Sequence, residues 1–146
     1  MTLRETRQAI LAASADKAWD HTFDMIVFHA CLMASAEVAY GLHDVADNLV
    51  ACQFVMPMES ILSADTWISH LSDNIDITPA ELGTRIAQDI KTKANSQGKI
   101  CHMSVLDLGL APQLTSLVGD LGDALPSNPG DPVSYTHLTL PTMCVV

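Results

Sequence analysis

Cys31 stands inside FDMIVFHACLMASAEVAY, residues 23–40, with His29 two positions before it. A cysteine thiolate is a nucleophile, and histidine is the side chain that most often moves the accompanying proton. The pair raises acyl transfer through a sulfur nucleophile, and with it the question of which base activates the thiol. The other cysteines, Cys52, Cys101 and Cys144, form no CxxC pair, so neither a zinc knuckle nor a redox dithiol is present. The 6 histidines are scattered, with no HExxH and no compact cluster. No metal site is expected.

The elements around Cys31 decide whether such chemistry is possible. Phe23 to Phe28 is an almost unbroken apolar run, the mark of a central strand covered on both faces. Helical spacing predicts a helix from Leu32 to about Val45. Cys31 is therefore expected just past the carboxyl end of a central parallel strand, at the start of a helix. Reactive groups collect at that place in open α/β sheets. A helix N-terminus lowers a thiol pKa from about 8.5 and favours the thiolate. The competing reading is a small buried residue in a helix–sheet seam, where most free cysteines lie.

The remaining pattern fills in an α/β chain. Thr2-Leu3-Arg4-Glu5 reads as a capping box opening a helix to about Lys17. Asn48–Val55 reads as a second strand, broken by Pro57. Glu59–Leu71 is helical. Thr78-Pro79-Ala80-Glu81 is another capping box, with proline at the first helical position, and its helix runs to about Ala94. Ile100–Leu108 alternates like a strand, and Pro112–Leu125 is a helix. Helices alternating with apolar strands predict a mostly parallel central sheet.

Length and charge bound the function. The chain has 146 residues, room for one ordinary domain. Lys and Arg number 7 against 17 Asp and Glu, a formal charge of -10. That balance argues against nucleic acid and against an anionic membrane as partners, because both need a positive footprint. No apolar run reaches the roughly 18 residues of a spanning helix. The opening MTLRETRQAI carries charges where a signal peptide would place its apolar segment.

The end of the chain, PVSYTHLTLPTMCVV, changes character: from Pro132 onward it has no Asp, Glu, Lys or Arg. Residues 133–142 resemble the in-frame translation of a transposase-library adapter. The reading divides the chain into a domain at 1–131 and an adapter-derived tail at 132–146, as in a metagenomic fragment. His137 and Cys144 then carry no function. The alternative is a short Thr-rich β-hairpin.

The centre of the sequence resembles the clostripain-like cysteine peptidases, of the same broad clan as caspases, gingipains and legumains. The residues that carry the resemblance are Ala30-Cys31-Leu32-Met33, then Glu37-Val38-Ala39-Tyr40, then Ala46-Asp47 and Leu49-Val50-Ala51, then Pro57. ITPAELGTRIAQDI and MSVLDLGLAPQLTSLVGDLGDAL resemble the family's downstream helix and its last strand and helix. The resemblance implies a caspase-like three-layer sandwich, incomplete at the N-terminus. It implies Cys31 as the nucleophile of peptide hydrolysis through an acyl-enzyme, usually after Arg or Lys, with a polypeptide as substrate. No cofactor is expected; calcium is allowed by the family resemblance and has no signature in the sequence. Members are typically bacterial and often exported, so the resemblance implies secretion or the cell envelope for the parent.

Three departures from the family pattern bear on function. The aspartate two before the cysteine, which helps line the pocket for a basic P1 side chain, is His29 here. The glycine-rich acidic loop after the proline has become Met58-Glu59-Ser60, with Glu59 at the place of the pocket acid. Glu59 also reads as a solvated first-turn glutamate. The catalytic His-Gly is absent. His21 lies at the start of the same strand, roughly 20 Å from Cys31 at 3.3 Å per residue. His29 occupies the pocket position, and His43, His70 and His102 match no family site. The base is therefore expected upstream of Met1, in a parent of which this chain is a piece. A non-catalytic homologue that binds peptides or proteins is the alternative reading.

Overall fold

A computed structural model describes residues 2–16, 22–57 and 63–125. It divides into two compact units, Met1–Thr115 and Ser116–Val146.

The chain opens with α1, Leu3–Asp16. Its start is the expected capping box: the Thr2 N–H donates to Glu5 Oε2 at 2.6 Å, and the Glu5 N–H to Thr2 Oγ1 at 3.3 Å. Strand β1 follows at Phe23–Val27, then helix α2 at Ala36–Leu42 and strand β2 at Ala46–Cys52. Helices α3, Ala64–Asp73, and α4, Pro79–Ser96, lead to strand β3, Met103–Asp107. A 3₁₀ turn at Leu108–Leu110 passes into α5, Ala111–Ala124. At α4 both halves of the Thr78/Glu81 box are made, with proline in the first turn. The Thr78 hydroxyl and N–H hold the Glu81 carboxyl below its usual pKa.

The described sheet has three strands in the order β1-β2-β3. β1 runs parallel to β2, with Met25 beside Asn48 and Val27 beside Val50. β3 runs antiparallel, with Val105 beside Val50. Two apolar layers cover the sheet. Leu49 and Ala51 face Val38, Leu42 and Leu108, with Leu3 and Ile10 of α1 packed against them. Val50 and Cys52 face the other way, onto Ile86, Ile90 and Ala94 of α4. Leu82, Ile86, Ile90 and Ala94 recur at the spacing of a single helix face, which is why α4 lies along the sheet. At Gly83 an added Cβ would stand 3.0 Å from Val105 and 3.1 Å from Val50, so the absence of a side chain sets how closely α4 approaches. On the opposite layer, Arg7 of α1 ion-pairs with Asp44, joining α1 to the turn after α2. That pairing holds the Asp44 carboxyl below its usual range.

Helix, sheet and helix make the expected three-layer α/β arrangement, with differences of detail. β2, not β1, is the middle strand among the described residues. The apolar run of β1 reflects its two covered faces: Met25 and Val27 pack toward α4, and Ile26 and Phe28 toward α2. Face coverage says nothing of edge pairing, so the run could not place the strand. β3 supplies an antiparallel pair in a sheet expected to be mostly parallel. The helix after Cys31 begins at Ala36, not Leu32, because Ser35 is its N-cap, accepting from the Val38 N–H at 3.3 Å. Glu59, His21 and the tail at 132–146 lie outside the described residues.

Candidate active site

The segment after β1 stays on the sheet instead of turning at once into a helix. The Phe28 N–H donates to Val50 O at 2.9 Å, and the Leu32 N–H to Phe54 O at 3.1 Å. The chain then reverses, and the Ala34 N–H donates to Cys52 O at 3.1 Å. The reversal is made by Leu32, whose φ of 60° is left-handed, a conformation that costs an L-residue roughly 1–2 kcal/mol. Cys31 is the residue just before it, at the tip of the excursion and beyond the carboxyl end of β1.

The Leu32 side chain is half exposed at 55%, so it recovers little of that strain through packing. Leu32→Gly is therefore expected to leave stability unchanged or raise it by up to about 1 kcal/mol. Leu32→Val, β-branched in a left-handed position, should cost about 1 kcal/mol or more. Urea unfolding of the two variants checks this, and a destabilised glycine variant would show that the turn is not strained.

Cys31 is partly buried, and both hydrogen bonds of its sulfur go to the main chain of Met56. The Met56 N–H donates to Sγ at 3.2 Å, and the thiol reaches Met56 O at 3.8 Å. The segment after β1 thus carries the thiol and the segment after β2 grips it. Met56 precedes Pro57, and a pre-proline residue is driven toward extended backbone. That was the one signal in the sequence for this contact, and sequence reasoning did not use it. α2 begins at Ala36, five residues past Cys31, and its Val38 and Ala39 N–H groups bind Ser35, so the expected helix-end contact to the sulfur is not made.

The other described thiols differ in kind. Cys52 and Cys101 are buried in the α4 layer. Burial, with the neighbouring Cys52 sulfur adding to it, pushes the Cys101 thiol up to about 11. Neither is placed to react with a molecule arriving from solvent.

His29 lies two residues before Cys31 and is partly buried. Its Nε2 is enclosed without a hydrogen-bond partner among the described residues. The other described histidines are engaged elsewhere. His43 stacks on Tyr40 with ring centroids 5.0 Å apart. His70 meets the Asn74 amide at 3.5 Å. His102 sits edge-on to Phe54 at 5.1 Å, on the β3 side of β2. The structure therefore brings His29 and Cys31 into one turn and brings no histidine into hydrogen-bond contact with the sulfur. Among the described residues there is no group of three His, Cys, Asp or Glu that could hold a metal ion. None of the described helices is long and apolar enough to cross a membrane.

The fold has counterparts among solved structures. The chain is similar in fold to a clostripain from Bacteroides thetaiotaomicron, solved in complex with the peptide inhibitor BTN-VLTK-AOMK. The TM-score is 0.64 at 19% identity, over 88% of this chain and 52% of that one. A B. fragilis cysteine protease superposes with a TM-score of 0.58 at 17% identity, over 78% of this chain and 46% of that one. An inactive zymogen protease from Parabacteroides distasonis gives 0.53 at 23% identity, over 66% of this chain and 26% of that one. The chain thus spans about half the length of the first two structures. No curated protein matches it. The model of the clostripain family matches residues 1–138, and the chain belongs to that family.

Proposed function

We propose that this chain is the nucleophile-bearing part of a cysteine endopeptidase, with Cys31 as the attacking residue. The observation that carries the reading is the placement of Cys31. Among the described residues it is the partly exposed thiol beside two buried ones, held beyond the carboxyl end of a parallel strand in a clostripain-family chain. In the reaction the sulfur bonds to the carbonyl carbon of the substrate peptide, and the carbon–nitrogen bond breaks as the amine takes a proton. Water then attacks the thioester and returns the thiol. The proton donor is a histidine from outside the described residues, since no described histidine is hydrogen-bonded to the sulfur: His43, His70 and His102 are engaged elsewhere, and the enclosed Nε2 of His29 has no partner among the described residues. The substrate is polypeptide.

The test is covalent labelling in a protein of clostripain length that carries this segment. A peptidyl-lysine acyloxymethyl ketone should modify Cys31 alone, as read by mass mapping, and excess peptide substrate should suppress it. Labelling spread over Cys52 and Cys101 as well would overturn the assignment.

His29 and Glu59 line the P1 pocket in this reading. A histidine whose Nε2 is buried and unpartnered offers no fixed anion to a guanidinium or ammonium group. Preference for Arg or Lys should therefore be weak. Hydrogen bonds to charged groups contribute about 1.5–3 kcal/mol, so His29→Asp should raise the kcat/KM ratio of Arg to Gln at P1 by about 10–100-fold. An unchanged ratio would place the charge of the pocket elsewhere, with Glu59 the first residue to replace. A non-catalytic peptide-binding homologue is the second reading, favoured by the histidine standing where the family has an acid; it predicts binding of the same peptides without turnover.

A further inference from the structure

β3 is paired on one side only among the described residues. The Gln53 N–H donates to His102 O at 3.0 Å, which fixes the phase of the antiparallel ladder. Ser104 and Leu106 therefore turn their main-chain groups toward β2, while Met103 and Val105 turn theirs to the open side. Sheet edges are usually blunted by lysine, proline, a bulge or a short charged stretch. β3 has five residues and carries one charge, Asp107 at its end; Met103–Leu106 before it holds no charge and no proline, which leaves those four residues open to a further strand.

Beside the open edge runs a groove of about 410 Å³ between β3 and α4. Thr84, Gln88, Lys91 and Asn95 supply one wall from a single face of α4, and Met103 and Val105 supply the floor. No carboxylate lines it. In a chain of net charge -10 that is an unusual surface, and Lys91 has no ion-pair partner among the described residues. Ile100, 75% exposed, forms an apolar rim. Free strand groups beside a helix-walled groove are the requirements for strand addition by an extended peptide.

We propose that this groove binds an extended acidic peptide segment of a partner protein. The peptide adds to β3 as a further strand, with its main chain on Met103 and Val105 and a carboxylate on Lys91. The site is separate from Cys31: β2 lies between them, and the reading does not depend on peptidase activity.

The 146-residue chain, labelled with ¹⁵N, is titrated with a blocked peptide of alternating valine and glutamate. The amides of Met103 and Val105 should shift and exchange more slowly with solvent. Replacing the glutamates by lysines should weaken binding at least about 10-fold, and so should methylating alternate peptide nitrogens. Lys91→Glu, an exposed helical change, should reverse the charge preference. No binding, or equal binding of the methylated or the lysine peptide, would overturn the proposal. So would edge amides already protected without peptide, whether by self-association of the chain or by other parts of a clostripain-length parent.

Discussion

Cys31→Ala is expected to remove all measurable turnover from a clostripain-length protein carrying this segment, whereas the 146-residue chain by itself should show no Cys31-dependent turnover to lose. The first half follows from chemistry: with the sulfur gone no acyl-enzyme forms, and loss of a covalent nucleophile costs about 10⁶-fold in well-studied hydrolases. The second half follows from geometry. Among the described residues the sulfur of Cys31 is hydrogen-bonded only to the main chain of Met56. His43, His70 and His102 are held by Tyr40, Asn74 and Phe54. A leaving amine must be protonated as the carbon–nitrogen bond breaks, and a positioned acid contributes typically 10²–10⁴-fold. Assays of peptidyl-Arg and peptidyl-Lys amides beside the alanine control settle both halves. Turnover by the isolated chain clearly above that control would mean that one of its own histidines, His29 being the first to test, swings onto the sulfur.

Features set by local chemistry could be read directly from the sequence. Thr78-Pro79-Ala80-Glu81 states its own hydrogen bonds, and α4 begins where it says. The apolar run at β1 reported two covered faces correctly. Strand order and direction were not legible, because alternation in MSVLD is the same for a parallel and an antiparallel neighbour. The start of α2 was misplaced for a related reason. Leu32, Met33 and Ala34 fit helical spacing, yet two of them donate to carbonyls of β2 and the segment beyond it, contacts that sequence periodicity cannot see. Ser35 was the better start signal, but no Glu or Gln follows three residues later to complete a box. For the candidate site, the family words singled out Cys31 and His29. The grip of Met56 on the sulfur comes from a main-chain group, which leaves no mark in residue type beyond the proline after it.

The grip also ties stability to the site, and Met56→Ala should show it. Met56 is 1% exposed and packs in the layer formed by Val50, Cys52, Ile86 and Ile90. Its side chain anchors the stretch whose N–H holds Cys31. Truncating a buried methionine to alanine loses transfer energy and leaves a cavity, at a cost of about 2–5 kcal/mol. Against a typical total of about 5–15 kcal/mol that is a large fraction. Met56→Leu keeps the volume and should cost less than about 1.5 kcal/mol. Val55→Ala, one residue away but 68% exposed, should stay within about 0.5 kcal/mol. Urea midpoints at constant m give all three. In a clostripain-length protein, Met56→Ala should also slow labelling of Cys31 at temperatures where the fold persists, because the sulfur loses its fixed donor, while Met56→Leu should not. A Met56→Ala variant as stable as Met56→Leu would mean that the side chain is not part of the core, and that Cys31 is positioned by the turn at Leu32 alone.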